Sequence, residues 1–126
     1  MAIRFFKCPV CGNVAVKVVD KNIPLVCCGR KMELLVPGVE DASAEKHVPV
    51  ATRTGDCSLV VKVGSAPHPM LPEHHIDFIC VETTDGYIIA HPGERPEATF
   101  AVSAGKAVAL WEYCNLHGLW KATISE

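Results

Sequence analysis

The feature that most limits how this chain can fold is Cys8-Pro9-Val10-Cys11, followed after fifteen intervening residues by the adjacent pair Cys27-Cys28. Two thiolates separated by two residues can turn back onto one ion, and Gly12 admits the tight backbone this needs. The chain has seven cysteines, an odd number, and four of them fall within the first 28 residues, which favours metal binding over disulfides. Four thiolates make a closed tetrahedral site suited to zinc or iron, and spacing alone does not choose between the two. Neighbouring cysteines cannot form the chelate loop of a second Cys-x-x-Cys, so a tetrahedron distorted relative to a zinc ribbon is expected. With every position filled by protein, such a site can carry an electron or hold a fold.

Residues 1–36 are too few to build an apolar core, so the metal has to supply much of their stability. The stretch "VPGVEDASAEK", Val36 to Lys46, reads as a linker with at most one helical turn in Asp41 to Lys46. A second domain, residues 37–126, is expected beyond it. Six runs there are rich in β-branched and aromatic residues: Ser58 to Val63, Ile76 to Glu82, Tyr87 to His91, Ala98 to Val102, Ala107 to Tyr113 and Leu119 to Ile124. Turn signals such as Asp85-Gly86 and Pro92-Gly93 separate them, and no run shows a sustained helical period. The pattern predicts a mainly β chain whose second domain is an antiparallel sandwich.

At 126 residues there is room for one good core and a small attached module. A formal charge of −2 offers no broad basic surface, which excludes a nucleic-acid partner. No apolar run approaches the ~20 residues of a membrane span, and the start "MAIRFFKCPVCG" has no secretory apolar core. A cytoplasmic location is expected.

The histidines sharpen the chemistry. His47 follows Glu45-Lys46, so an acid, a base and a ligand candidate stand in a row. His68 sits between two prolines that restrict its backbone, and His74 follows six residues later. His117 forms a Cys-x-x-His pair with Cys114, backed by Gly118. A lone histidine on a β surface is more often a polar surface group than a ligand. These four lie with Cys114 at loops and strand ends, where functional sites gather. Four imidazoles and one thiolate leave the sixth position of an octahedral iron open. The neutral imidazoles keep the ion's charge attractive to a small anion, and the thiolate donates electron density. His75 reads as a polar neighbour, His91 as a turn residue, Cys80 as a buried strand residue and Cys57 as a loop thiol.

Cys8-x-x-Cys11, Cys27-Cys28, "EKHVPV" at Glu45 to Val50, "PHPM" at Pro67 to Met70 with His74 beyond, and "EYCNLHG" at Glu112 to Gly118 occur in a definite order. Together they resemble the desulfoferrodoxins, the two-iron superoxide reductases, over essentially the whole chain. The resemblance implies two iron ions per chain. One would be held by Cys8, Cys11, Cys27 and Cys28 in a desulforedoxin-like module. The other would be held by His47, His68, His74 and His117 as equatorial ligands with Cys114 axial. It implies that Glu45 can take the sixth position after oxidation and that Lys46 draws in superoxide and assists product protonation. It also implies an immunoglobulin-like sandwich, a homodimer, a rubredoxin-like or other small electron donor, and one-electron reduction of superoxide to hydrogen peroxide. The alternative reading is a two-iron electron-transfer protein without a substrate of its own.

Overall fold

Runs of β-branched and aromatic residues broken by Gly, Pro and Asp favour extended backbone along most of the chain. The computed structural model describes residues 3–40 and 47–125, and these contain twelve strands and no helix. Contacts divide the chain into two units, Met1–Val36 and Pro37–Glu126. Glu45, Lys46 and the expected turn of Asp41 to Lys46 lie outside the described residues.

In the first unit β1 (Phe5–Lys7) runs antiparallel between β2 (Val14–Val16) and β5 (Glu33–Leu34), and β3 (Val26–Cys27) and β4 (Arg30–Lys31) form a separate hairpin. Among its described residues the buried apolar side chains are Ile3, Phe5 and Cys8, while Val10, Val18, Val26 and Val36 are exposed. The run Val14 to Val19 leaves the strand after Val16. There Lys17 bonds both the Asp20 carboxylate and the Ile23 carbonyl, and Arg4 pairs with Asp20 as well. Arg4 and the backbone N–H of Asn22 hold the Asp20 carboxyl below the usual carboxylate range, with Lys17 adding to them.

The second unit is a sandwich of two antiparallel sheets. One has the order β10 (Glu97–Phe100), β7 (Ser58–Val63), β6 (Pro49–Gly55); the other has the order β12 (Gly118–Thr123), β11 (Ala107–Cys114), β8 (Ile76–Thr83), β9 (Gly86–Ala90). Three strands against four is the immunoglobulin-like arrangement. Leu59, Val61 and Val63 alternate inward along β7 and meet Ile76, Ile79 and Val81 of β8 and Leu110 of β11 in one buried cluster. Cys80 is fully buried and desolvation pushes its thiol up to about 12, so it behaves as a small apolar residue. Cys57 lies exposed between β6 and β7. Strand β6 does not stand out in the sequence because it starts on proline and alternates with polar residues, both tolerated at the edge position it occupies.

Antiparallel pairing sets the site's location. The start of β6, the end of β7, the start of β8, the end of β11 and the start of β12 share one end of the sandwich, as the pairs Pro49↔Val63, Cys114↔Ile76 and Cys114↔Gly118 require.

Candidate metal centres

Cys8, Cys11, Cys27 and Cys28 bring four sulfur atoms within 4.8 Å of one another. Ligands at about 2.3 Å from a tetrahedral ion stand about 3.8 Å apart. The Cys11–Cys27 and Cys27–Cys28 separations, 3.6 Å and 4.0 Å, bracket that value. The N–H groups of Val10 and Cys11 both donate to the Cys8 sulfur at 3.4 Å, and that of Asn13 donates to Cys11 at 3.5 Å. The Cys11 N–H is the main cause that lowers the Cys8 thiol to about 6. Crowding by Cys11, then Cys8 and Cys27, pushes Cys28 up to about 12. The Cys8 thiolate forms readily while Cys27 and Cys28 resist ionising, so a cation would help to neutralise the group for all four to ligate.

The backbone absorbs the difficulty posed by the adjacent pair. Successive side chains of a strand point to opposite faces, so Cys27 and Cys28 could not both face one ion from an extended chain. Cys28 instead adopts φ 53°, a left-handed conformation costing an ordinary residue roughly 1–2 kcal/mol, and this turns its sulfur back toward the others.

The second centre is assembled from four separate segments. His47 precedes β6 and His68 stands in the β7–β8 connection. His74 closes a turn in which it and Leu71 exchange both backbone hydrogen bonds, at 2.8 and 3.1 Å. Cys114 ends β11, and the loop from Asn115 to His117 leads back through Cys114↔Gly118 into β12. Gly118, at φ 81°, supplies the left-handed residue that closes this hairpin. A Cys-x-x-His spacing therefore becomes a turn that presents a thiol and an imidazole to the same point.

The four imidazoles form a closed ring. His47 meets His68, His68 meets His74, His74 meets His117 and His117 returns to His47, with centroids 4.7–5.1 Å apart and planes crossed at 67–81°. His47 thus stands opposite His74, and His68 opposite His117. Nε2 of His47 lies 3.1 Å from His117 Nδ1 and 3.2 Å from His68 Nε2. Ligands at right angles, about 2.1 Å from one ion, stand about 3 Å apart. The Cys114 sulfur, fully buried, is 3.7 Å from His117 Nδ1. Donor types and spacings both fit a mid-row metal such as iron.

Supporting contacts fix these ligands. The Pro69 carbonyl, 2.8 Å from His68 Nδ1, can only accept, so Nδ1 carries the proton and Nε2 faces inward as a neutral donor. Asn115 brackets His74: its Oδ1 accepts from the His75 N–H at 2.7 Å, its Nδ2 donates to the Glu73 carbonyl at 3.0 Å, and its own N–H donates to the His75 carbonyl. This role was not visible in the sequence, where Asn115 is one letter between two ligands. His75 points elsewhere. Its Nδ1–H donates to the Leu71 carbonyl and its Nε2–H to Asp77, which raises its basicity, the carbonyl first, and leaves neither nitrogen to ligate. His91 Nδ1 donates to the Asp77 carbonyl just beyond β9.

Fold and sites together define an all-β protein carrying a four-cysteine centre and a separate four-histidine, one-cysteine centre. Family models described as desulfoferrodoxin N-terminal domain and desulfoferrodoxin match residues 2–35 and 39–123. The chain belongs to the desulfoferrodoxin family. It is 42% identical over 122 residues to the desulfoferrodoxin of Syntrophotalea carbinolica, covering 95% of each chain. It is 38% identical over 103 residues to a superoxide reductase of Pyrococcus horikoshii, covering 64% of this chain and 87% of that one. The crystal structure of the superoxide reductase from Treponema pallidum is similar at TM-score 0.81 and 29% identity, covering 97% of this chain and 98% of that one.

Proposed function

We propose that this chain is a superoxide reductase, converting superoxide to hydrogen peroxide with one electron and two protons. The observation that carries this reading is the closed ring of four imidazoles with the Cys114 thiol beside it. Offering four imidazoles and a thiolate, His47, His68, His74, His117 and Cys114 would hold one iron. Cys8, Cys11, Cys27 and Cys28 hold a second as an accessory electron relay. When bound in the histidine ring, ferrous iron would supply the one electron that the reduction of superoxide requires.

The side chains do the rest. Neutral imidazoles, fixed in that form at His68 by the Nδ1–H to Pro69, leave the ion's positive charge uncancelled and attractive to an anion. Burial of Cys114 keeps water from the sulfur and preserves its electron donation. His117 is exposed and His74 half-buried while His47 and His68 are buried, so solvent reaches the ring at its His74 and His117 members. Lys46 would raise the local superoxide concentration and assist protonation of the product, and Glu45 would serve as a further ligand after oxidation. The protein works in the cytoplasm as a homodimer and is re-reduced by a rubredoxin-like or similar small donor.

The test is stoichiometric. A pulse of superoxide on the reduced protein is expected to give one peroxide per superoxide consumed. One peroxide per two, without consumption of donor electrons, would mark a dismutase, and no reaction would leave an electron carrier.

A further inference from the structure

We propose that Trp120 is a positioning residue of the five-ligand centre, holding His47 by ring stacking and His117 through its backbone. The indole of Trp120 lies nearly parallel to the His47 imidazole, with centroids 4.9 Å apart and an interplanar angle of 15°. Its Nε1–H donates to the His117 carbonyl at 3.2 Å. His47 and His117 are far apart in sequence but neighbours in the imidazole ring, 3.1 Å apart at their ligating nitrogens. One rigid side chain therefore sets the plane of one ligand and the backbone height of the next.

The indole also packs closely on Gly38. Gly38 pairs with Trp120 as an isolated bridge, donating to the Leu119 carbonyl and accepting from the Lys121 N–H, each at 2.9 Å. A Cβ at Gly38 would come within 2.7 Å of both Cε3 and Cζ3 of the indole. An alanine at this position conflicts with the ring alone, because Gly38 is not among the glycines with positive φ. The ring is a flat, inflexible obstacle, so the clash is relieved by shifting the indole relative to His47 or by displacing the Gly38 backbone. Gly38 is thus required by its close approach to Trp120, and through it by the metal centre. Stacking leaves the imidazole with little freedom to rotate about its bond to the ion, and outer contacts of this kind tune both metal affinity and electronic character.

The proposal rests on the reading that these five residues hold a metal, and the experiment separates the two. Full-length protein is loaded with ferrous iron, and release from each centre to a chelator is followed optically, with the four-cysteine centre as internal reference. Trp120→Leu is expected to speed release from the histidine centre on the order of tenfold and to shift its reduction potential and optical band, leaving the cysteine centre unchanged. Trp120→Phe keeps a stacking face without the N–H donor and should recover part of the loss. Gly38→Ala, which touches no ligand and keeps the tryptophan, should approach the Trp120→Leu result. Combining Gly38→Ala with Trp120→Leu should add little beyond either alone, because both act through one ring. Wild-type release rates and potential in both Trp120→Leu and Gly38→Ala overturn the proposal, as does a loss that strikes both centres alike. A wild-type chain that takes no iron at the histidine centre removes the five-ligand reading and the proposal with it.

Discussion

The two metal centres are built in opposite ways. The four-cysteine centre draws on a unit of 36 residues whose buried apolar side chains are Ile3, Phe5 and Cys8. The five-ligand centre sits at one end of a sandwich with a continuous core from Leu59 to Cys114. On the proposed reading a metal would hold the fold of the first unit, whereas the fold of the second would hold its metal. Strain follows the same division. Cys28 takes a left-handed backbone to join the other three sulfurs, whereas the histidines are delivered by ordinary strand ends, a proline-flanked connection and a hairpin.

The largest expected effect comes from stripping metal from both centres. Structural ions of this type contribute on the order of 10 kcal/mol to small domains. The amide signals of residues 3–36 should therefore collapse toward random-coil positions while those of β7, β8 and β11 keep their dispersion. Loss of both sets together, or of neither, would break the comparison.

A smaller effect is expected at Asn115. Asn115→Ala frees the turn around His74, and loss of such an outer contact weakens metal affinity by roughly ten- to a hundredfold. The cysteine centre should be unaffected and thermal unfolding of the sandwich nearly so. An unchanged affinity would mean that Leu71 alone fixes His74.

Smaller still is the contribution of Asp20. Its carboxyl is held below the usual range by Arg4, Asn22 and Lys17, so its ionised form stabilises the folded first unit. That contribution is fully present above the unfolded value near 3.9 and is lost as pH falls through the lower folded value. Relative to Asp20→Asn, the wild-type unit should be more stable at neutral pH and lose the advantage in acid below about pH 4. A gap that persists in acid would show that the Arg4 and Lys17 contacts act without the charge.

The same division explains what the sequence made legible. The cysteine pairs stand out because their geometry is local, and β7, β8, β11 and β12 stand out because each carries a run that a pleated surface buries. Strand β6 was hidden by Pro49 and its polar alternation. Strands β3, β4 and β5 span two residues each, too short to carry a pattern of their own. The ligands could be picked out because few residue types bind metal. Asn115 and Trp120 could not, because their partners lie far off: Asn115 bonds Glu73 and Trp120 stacks on His47, and only the folded chain brings those pairs together. The sequence already favours His74 over His75; the fold adds a physical reason, since the Leu71 carbonyl and Asp77 occupy both nitrogens of His75.

The central claim is that the chemistry belongs to the five-ligand centre and the cysteine centre only relays electrons. The most direct measurement uses Cys28→Ser, which disables the first centre and leaves every ligand of the second. This variant, its histidine-bound iron reduced by an artificial donor and then pulsed with superoxide, is expected to form one peroxide per superoxide at the wild-type rate. Failure to form peroxide while that iron is still bound and reduced would contradict the account.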